Sequence, residues 1–177
     1  MLENISHDNR YHKTLNFLKK HIQVSSTILD LGVYNPLSRH MQLQGYEVKN
    51  TSGEDLDEDQ SSLINSKQEV VTAFEILEHL LSPYQVLKSI QAEKLVVSVP
   101  LRLWFSPAYR SKNDLWDRHY HEFEDWQLDW LLEKTGWKII AREKWTNPNS
   151  SFGIRTLLRY FTTRYYIVFA QKNKQEN

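Results

Sequence analysis

The sequence predicts an α/β domain, spanning residues 1–177, built on an open and mostly parallel sheet. Segments with helical and strand-like patterns alternate from residue 10 to about residue 136, which is typical of consecutive β-α-β units. The segment 69–74 is mostly apolar, as expected of a strand in a central parallel position. A chain of 177 residues with 40% hydrophobic residues can bury a core of its own. Ligands of such sheets bind beyond the carboxyl ends of the strands, so the residues that follow each strand are the functional candidates.

The first half of the chain supplies two predicted helices and three strands. The first helix is indicated by apolar residues at helical spacing, namely Tyr11, Leu15, Leu18 and Ile22. Asn35 and Pro36 favour the start of a second helix, and Gly45 favours its end. The predicted strands are 25–32, 46–51 and 69–74. Only residues 52–68 connect the last two, which is too short for both a crossover helix and a further strand, so we expect no strand outside the second one.

The second half continues the alternation and ends differently. Ser82 and Pro83 open a helix that is followed by a strand over 94–99, a long aromatic loop and a helix over 124–135. Two late strands are predicted at 137–145 and 165–171. The intervening segment, 146–163, is expected to be irregular or partly helical.

Charge and composition exclude several classes of protein. The chain has 22 Lys and Arg against 22 Asp and Glu, whereas a general binder of nucleic acid or anionic membranes needs a basic excess. It has no cysteine, so disulfides and thiolate metal sites are excluded. Because no apolar run reaches 18 residues and the first five residues do not resemble a signal peptide, we expect a cytoplasmic protein without a membrane span.

Four segments resemble motifs of class I S-adenosylmethionine-dependent methyltransferases, and they occur in that family's order. Residues 28–36 (ILDLGVYNP) resemble its first motif. Residues 70–80 (VVTAFEILEHL) resemble the segment after the fourth strand in the small-molecule branch that includes the ubiquinone-biosynthesis C- and O-methyltransferases. Residues 95–100 and 121–137 are similar to its fifth strand and to its last helix and Gly-aromatic turn. The resemblance implies a Rossmann-like sheet with helices on both faces and a C-terminal antiparallel strand pair.

The resemblance also implies a set of residues for S-adenosylmethionine. Asp30, Gly32 and Val33 belong to the first turn, near the methionine end of the cofactor. Asn50 stands for the acid that binds the ribose hydroxyls, and Asp55 resembles the acid that receives the adenine amino group. Three residues at the end of the third strand complete the set on the methionine side: Ala73, Phe74 and Glu75.

The first turn departs from the family pattern and leaves a second interpretation open. Gly32 is followed by Val33, Tyr34, Asn35 and Pro36 where the family has further glycines, so side chains can fill the cofactor space. The alternative is therefore a non-catalytic binding or scaffold protein that has lost the cofactor. A nicotinamide dehydrogenase is disfavoured because the sequence lacks a G-x-G-x-x-G segment.

Three histidines are candidates for the chemistry. Methyl transfer from a sulfonium is an in-line displacement that needs orientation, and a hydroxyl acceptor would add the need for a base. His119 and His121 follow the fourth strand on the substrate side and are the predicted catalytic residues, while His79 is more typical of a helix start. The same loop carries aromatic residues that could line an acceptor pocket or cover the core: Trp104, Phe105, Tyr109 and Trp116.

The histidine-rich loop also raises the question of a metal. His119, His121 and Glu122 lack a further ligand at a recognised spacing, so no metal site is predicted. The prediction as a whole is a methyltransferase that uses S-adenosylmethionine and a small-molecule acceptor.

Overall fold

A computed structural model of the chain describes residues 2–148 and 153–173. Its helices are α1 (Leu2–His21), α2 (Pro36–Leu43), α3 (Ser61–Ile64), α4 (Pro83–Ser89), α5 (Asp125–Lys134) and α6 (Ile154–Phe161), with a 3-10 turn at Leu77–His79. Its strands are β1 (Thr27–Asp30), β2 (Glu47–Asn50), β3 (Val70–Phe74), β4 (Lys94–Pro100), β5 (Trp137–Thr146) and β6 (Thr163–Lys172). In these ranges no helix is both long and apolar enough to cross a bilayer.

The six strands form one sheet in the order β2-β1-β3-β4-β6-β5. The first four strands are parallel, and β6 runs antiparallel to both β4 and β5. This confirms the predicted parallel sheet with an antiparallel pair at its C-terminal end. Between β2 and β3 the structure has only the four-residue helix α3, and β2 lies at the edge of the sheet, so the prediction that no strand lies outside it is also confirmed.

The core consists of two apolar layers, one on each face of the sheet. Adjacent residues of the central strands alternate between the layers because side chains point to opposite faces of a strand. Ile28, Val70 and Val96 enter the layer that contains Phe17 of α1 and Met41 of α2. Their neighbours Leu29, Val71 and Val97 enter the layer that contains Leu63 of α3, Leu87 of α4 and Leu128 of α5. Helices therefore cover both faces, as the resemblance implies.

The segment between the late strands contains helix α6, so the expectation of a partly helical stretch is confirmed. None of the α6 residues is buried, and apolar side chains such as Ile154 and Phe161 are largely exposed. Helix α6 therefore contributes little to the core. The strand that follows it lies between β4 and β5 and is buried at its centre.

Candidate functional site

Two cavities meet at the carboxyl ends of the parallel strands. The small cavity has a volume of about 320 Å³ and lies over the ends of β1 and β3, beside α1. The large cavity has a volume of about 700 Å³ and lies between the loop after β2 and the loop after β4. Gly32, Val33 and Ile76 line both cavities. A ligand that spans the two would therefore cross the turn after β1, where an open α/β sheet usually binds its ligand.

The turn after β1 is held by a buried hydrogen-bond network on Asp30. This residue is 2% exposed, and its Oδ1 accepts a hydrogen bond from Thr72 Oγ1 at 2.6 Å. Its Oδ2 accepts from Ser38 Oγ at 2.8 Å and from Asn50 Nδ2 at 3.1 Å. Burial raises the pKa of Asp30, while the three hydrogen bonds act in the opposite direction. Although Asp30 lines the small cavity, its carboxylate is therefore engaged inside the protein.

The structure places Asn50 in the same network. Asn50 pairs with Asp30 in the strand register, and its Nδ2 also donates to the Gly32 carbonyl at 3.2 Å. It lines neither cavity. The residues after β2 that line the large cavity begin one position later, with Thr51, whose Oγ1 accepts a hydrogen bond from the Gly32 amide at 2.8 Å. The sequence expectation put the ribose contact at the last strand residue, whereas the side chains facing the large cavity come from the following loop.

That following loop is acidic, and its carboxylates have different surroundings. Asp57 accepts hydrogen bonds from the Leu81 and Ser82 amides, both at 2.8 Å, which ties the loop to the start of α4. Asp55 is exposed, and among the hydrogen bonds of the described residues its carboxylate accepts only one, a local bond from the Asp57 amide to Oδ1 at 3.0 Å. Both acids line the large cavity, together with Glu54 and the buried Leu56. Glu54 is a candidate that the sequence reasoning missed, although it lies in the same acidic run.

The missing glycines of the first turn are compensated from this loop. Val33 is 59% exposed, so its side chain does not close the cavities from within. Gly53 has a φ of +89°, and a Cβ added there would lie 2.7 Å from Val33 Cγ1. The glycine after β2 thus provides the space that the valine after β1 occupies, and the large cavity remains open beside it.

The end of β3 brings opposite charges to the small cavity. Glu75 has a φ of +57°, which is uncommon for a residue with a side chain. Its Oε1 accepts from Ser98 Oγ at 2.8 Å, and its Oε2 lies 3.7 Å from Arg10 Nη1 of α1. Burial raises the pKa of Glu75, and the Arg10 guanidinium opposes that shift. Phe74 also lines the cavity, while Ala73 is buried in the core and lines neither cavity.

The three candidate histidines do not form one group. His79 lines this cavity, and its ring stands edge-on to that of His119, with 4.7 Å between centroids. Burial, followed by the nearby His79, lowers the pKa of His119 to about 4, so its imidazole is neutral at neutral pH. His121 lies apart from this pair and has its Nε2 3.4 Å from the Leu81 carbonyl oxygen.

The aromatic residues of the long loop also lie at different sites. Trp116 lines the large cavity and is 73% exposed. Tyr109 and His119 line a third cavity, the loop cavity, of about 410 Å³, which shares Arg118 and Tyr120 with the large one. Trp104 and Phe105 pack edge-on against each other and are not lining residues of these cavities. Of the four aromatic residues, Trp116 therefore lines the large cavity and Tyr109 the loop cavity.

Glu78, which precedes His79, is the least exposed ionisable residue of this region. Its side chain is 1% exposed, and no hydrogen-bond partner reaches its Oε2. Burial and the neighbouring Glu75 raise the pKa of Glu78 well above its usual range. Its backbone carbonyl accepts hydrogen bonds from the Tyr120 and His121 amides, at 2.8 and 3.2 Å, so it fixes the loop that carries His119.

Comparison with known proteins identifies the fold. No family model matches the sequence, and no curated protein matches it at the level of sequence. Many solved structures are similar. One is the 1,6-didemethyltoxoflavin N1-methyltransferase of Burkholderia thailandensis, solved with 1,6-didemethyltoxoflavin and S-adenosylhomocysteine, with a TM-score of 0.66 and 14% identity over 95% of this chain and 84% of that one.

Two further structures show how widely this fold is used. An S-adenosylmethionine-dependent methyltransferase of Archaeoglobus fulgidus has a TM-score of 0.59 and 16% identity over 97% of this chain and 95% of that one. The [4+2]-cyclase SpnF has a TM-score of 0.57 and 13% identity over 92% and 81% of the two chains. The chain therefore has the Rossmann-like class I methyltransferase fold. Because that fold carries several activities, the activity must be argued from the site.

Proposed function

We propose that this protein is a methyltransferase that binds S-adenosylmethionine and transfers its methyl group to a small-molecule acceptor. The observation that carries the proposal is the pair of cavities joined at Gly32 and Val33, at the carboxyl ends of β1 to β4. Their positions agree with the nucleoside-binding side of an open α/β sheet. The methyltransferases of similar fold support the assignment.

The small cavity suits the methionine end of the cofactor. This end carries an ammonium and a carboxylate, and the cavity presents both a carboxylate, Glu75, and a guanidinium, Arg10. The ammonium can thus bind Glu75 and the carboxylate can bind Arg10, through charge-assisted hydrogen bonds, which are strong. Glu75 is held by Ser98 and Arg10 and therefore needs no rearrangement to serve as an acceptor.

The large cavity suits the adenosine end. Leu56 and Ile76 give it apolar surface, and Asp55 places a carboxylate at its rim. Glu54, whose Oε2 accepts a hydrogen bond from the Ser52 amide at 2.7 Å, supplies a carboxylate for the ribose hydroxyls. Asn50 instead supports the turn through its hydrogen bond to Asp30. This arrangement keeps the predicted roles of Gly32, Val33 and Asp55 as direct contacts and makes Asp30 and Asn50 positioning residues.

Bound S-adenosylmethionine supplies an activated methyl group on a sulfonium. The protein then has to hold the acceptor in line with that group and keep water away. The acceptor side of the large cavity carries Trp116, Tyr120 and His79, which offer aromatic surface and one imidazole. We assign the acceptor to this side because the opposite side is closed by the acidic loop.

Calorimetric titration with S-adenosylmethionine and S-adenosylhomocysteine tests the proposal. Binding with a Kd in the micromolar range is expected, and Asp55→Ala should weaken it about tenfold because one charge-assisted hydrogen bond is worth about 1.5 kcal/mol. Asp59→Ala is the matched control, since Asp59 belongs to the same loop but lines neither cavity. Absence of both heat and a thermal shift at millimolar cofactor would contradict the proposal and favour the scaffold alternative.

The scaffold alternative has one observation in its favour. Val33 and Tyr34 occupy the turn in which related motifs have glycines, and both side chains are more than half exposed. A protein that used this surface only to bind a partner would keep the fold without a need for the charged small cavity. Cofactor binding in the titration above therefore decides between the two.

A further inference from the structure

We infer that Glu78, His79 and His119 form a divalent metal site between the large cavity and the loop cavity. One carboxylate oxygen of Glu78 and one ring nitrogen of each histidine lie within 4.8 Å of one another. Protein ligands bind such ions at about 2.1 Å, so the three groups need to move inward by roughly 1 Å or less to share one ion. Two imidazoles and a carboxylate are a ligand set that suits zinc, iron, cobalt or manganese.

The buried carboxylate of Glu78 is the strongest indication. A buried polar oxygen without a partner is costly, and native proteins rarely leave one. The Glu78 side chain is 1% exposed, and its Oε2 has no hydrogen-bond partner. A cation bound by Glu78 would offset the cost of burying this carboxylate.

The orientation of His79 is consistent with a ligand. Its Nδ1 lies 3.1 Å from the Arg118 carbonyl oxygen. A carbonyl oxygen can only accept, so Nδ1 carries the proton and Nε2 keeps its lone pair. That Nε2 atom is 3.8 Å from Glu78 Oε1 and therefore faces the cluster. Histidine ligands of metals are commonly fixed by a hydrogen bond of this kind on the other ring nitrogen.

The third ligand comes from a distant part of the chain, and the backbone holds it in place. The carbonyl of Glu78 accepts hydrogen bonds from the amides of Tyr120 and His121, which directly follow His119. The ring of His119 meets that of His79 edge-on and that of Tyr109 at a tilt, with centroids 4.7 and 4.5 Å apart. Glu78 thus positions His119 with its main chain and shares the ion with its side chain.

Three protein ligands leave coordination positions for a substrate. His79 lines the large cavity and His119 lines the loop cavity, so an acceptor between Trp116 and Tyr120 can reach the ion. The inference about the acceptor rests on the proposed methyl transfer. The position of the ion favours a hydroxylated acceptor, because a bound divalent ion lowers the pKa of a hydroxyl. The hydroxyl proton goes to water, the oxygen forms the bond to the methyl carbon, and the carbon–sulfur bond breaks with its electron pair on sulfur.

Titration of the chelator-treated protein with Co²⁺ tests the site without any methyl transfer. We expect one ion per chain in equilibrium dialysis, visible absorption bands typical of nitrogen and oxygen ligands, and displacement by Zn²⁺. Glu78→Gln and His119→Gln should each raise the Kd for Co²⁺ at least tenfold. The matched controls, Glu133→Gln and His12→Gln, change exposed residues on α5 and α1 and should leave the Kd unchanged.

The outcomes separate this inference from the proposed function. Thermal melting first establishes that each variant is folded, and S-adenosylhomocysteine titration is run on the same samples. Co²⁺ binding that depends on Glu78 and His119 supports the site even if no S-adenosylhomocysteine binds. Absence of bound Co²⁺, or binding that both variants retain in full, overturns the site even if S-adenosylhomocysteine binds.

Discussion

Asp30 illustrates how a residue expected to contact a ligand can act mainly inside the protein. Its carboxylate accepts from Thr72, Ser38 and Asn50, three residues on three different elements, and so fixes the turn on which both cavities depend. Loss of this group would therefore affect ligand binding indirectly. We regard it as a positioning residue for the site proposed above.

The titration of Asp30 should make stability depend on pH in a defined direction. Burial raises its pKa in the folded protein, so between the usual carboxyl value of about 4 and the raised value the folded state holds more protons than the unfolded state. The free energy of unfolding contributed by Asp30 should accordingly fall as the pH rises through that window, and be constant below it. Asp30→Asn should remove this part of the slope.

Denaturant unfolding at pH 4, 5, 6 and 7 measures the effect as the difference between wild type and Asp30→Asn. Taking the difference cancels the contributions of the other carboxylates, since they are present in both proteins. A difference that is the same at every pH would show that Asp30 does not titrate between the folded and unfolded states.

Gly53 permits a second test on single residues, because Val33 occupies the space that a side chain at position 53 would need. Gly53→Ala should destabilise the protein by about 2–3 kcal/mol, since it adds a contact at 2.7 Å to a backbone with φ of +89°. Gly136→Ala is a matched control with φ of +90° and no atom near the added carbon, and should cost about 1 kcal/mol. Chemical denaturation gives both values.

Val33→Ala completes the experiment on this pair. In the Gly53→Ala background it should recover most of the difference between the two glycine variants, because it removes the methyl groups against which the new carbon packs. Equal losses in Gly53→Ala and Gly136→Ala, with no effect of Val33→Ala, would show that the two loops do not compete for this space.

Among the secondary-structure elements, the acidic loop depends on its attachment to α4. Asp57 joins them through two backbone amides, those of Leu81 and Ser82, and no other loop carboxylate does so among the described residues. Asp57→Ala should lower the free energy of unfolding by about 2 kcal/mol, and Asp57→Asn by about half as much because one oxygen remains. Both should also weaken S-adenosylhomocysteine binding, since the wall of the large cavity loosens.

Asp55→Ala is the natural comparison, measured by denaturation and calorimetry side by side. It should lower the affinity for S-adenosylhomocysteine with little change in stability, whereas Asp57→Ala should change both. The opposite pattern, in which Asp57→Ala leaves stability unchanged, would mean that α4 holds its position without the loop.

At the scale of the whole molecule, the sequence was most informative where patterns are periodic. The alternating segments predicted the parallel sheet, and the short connection over 52–68 predicted that β2 would lie at its edge. Both predictions rest on the order and spacing of segments along the chain. The limits of α6 were not predicted, although Ile154, Leu157, Leu158 and Phe161 recur at helical spacing, and the apolar face that they form is not buried in the core.

The site was less predictable, since it depends on register and on contacts between distant segments. Asn50 lies 20 residues after Asp30 in the sequence, a spacing that suits a ribose contact. The strand register nevertheless places it opposite Asp30, and its amide donates to that buried carboxylate. A shift of one residue along a strand changes the face of a side chain. The cluster of Glu78, His79 and His119 joins residues 40 positions apart, and no local spacing in the sequence could have indicated it.

The place of β6 in the sheet has a consequence for how the chain is made. This strand is the last of the six to be synthesised, but it lies between β4 and β5 and pairs with both. Until it leaves the ribosome, the apolar edge of β4 is open and β5 has no neighbour in the sheet. Unpaired strand edges favour association between chains. Premature termination or slow translation shortly before residue 163 would therefore leave an aggregation-prone intermediate. In this intermediate the four parallel strands are paired, but the edge of β4 that binds β6 is exposed.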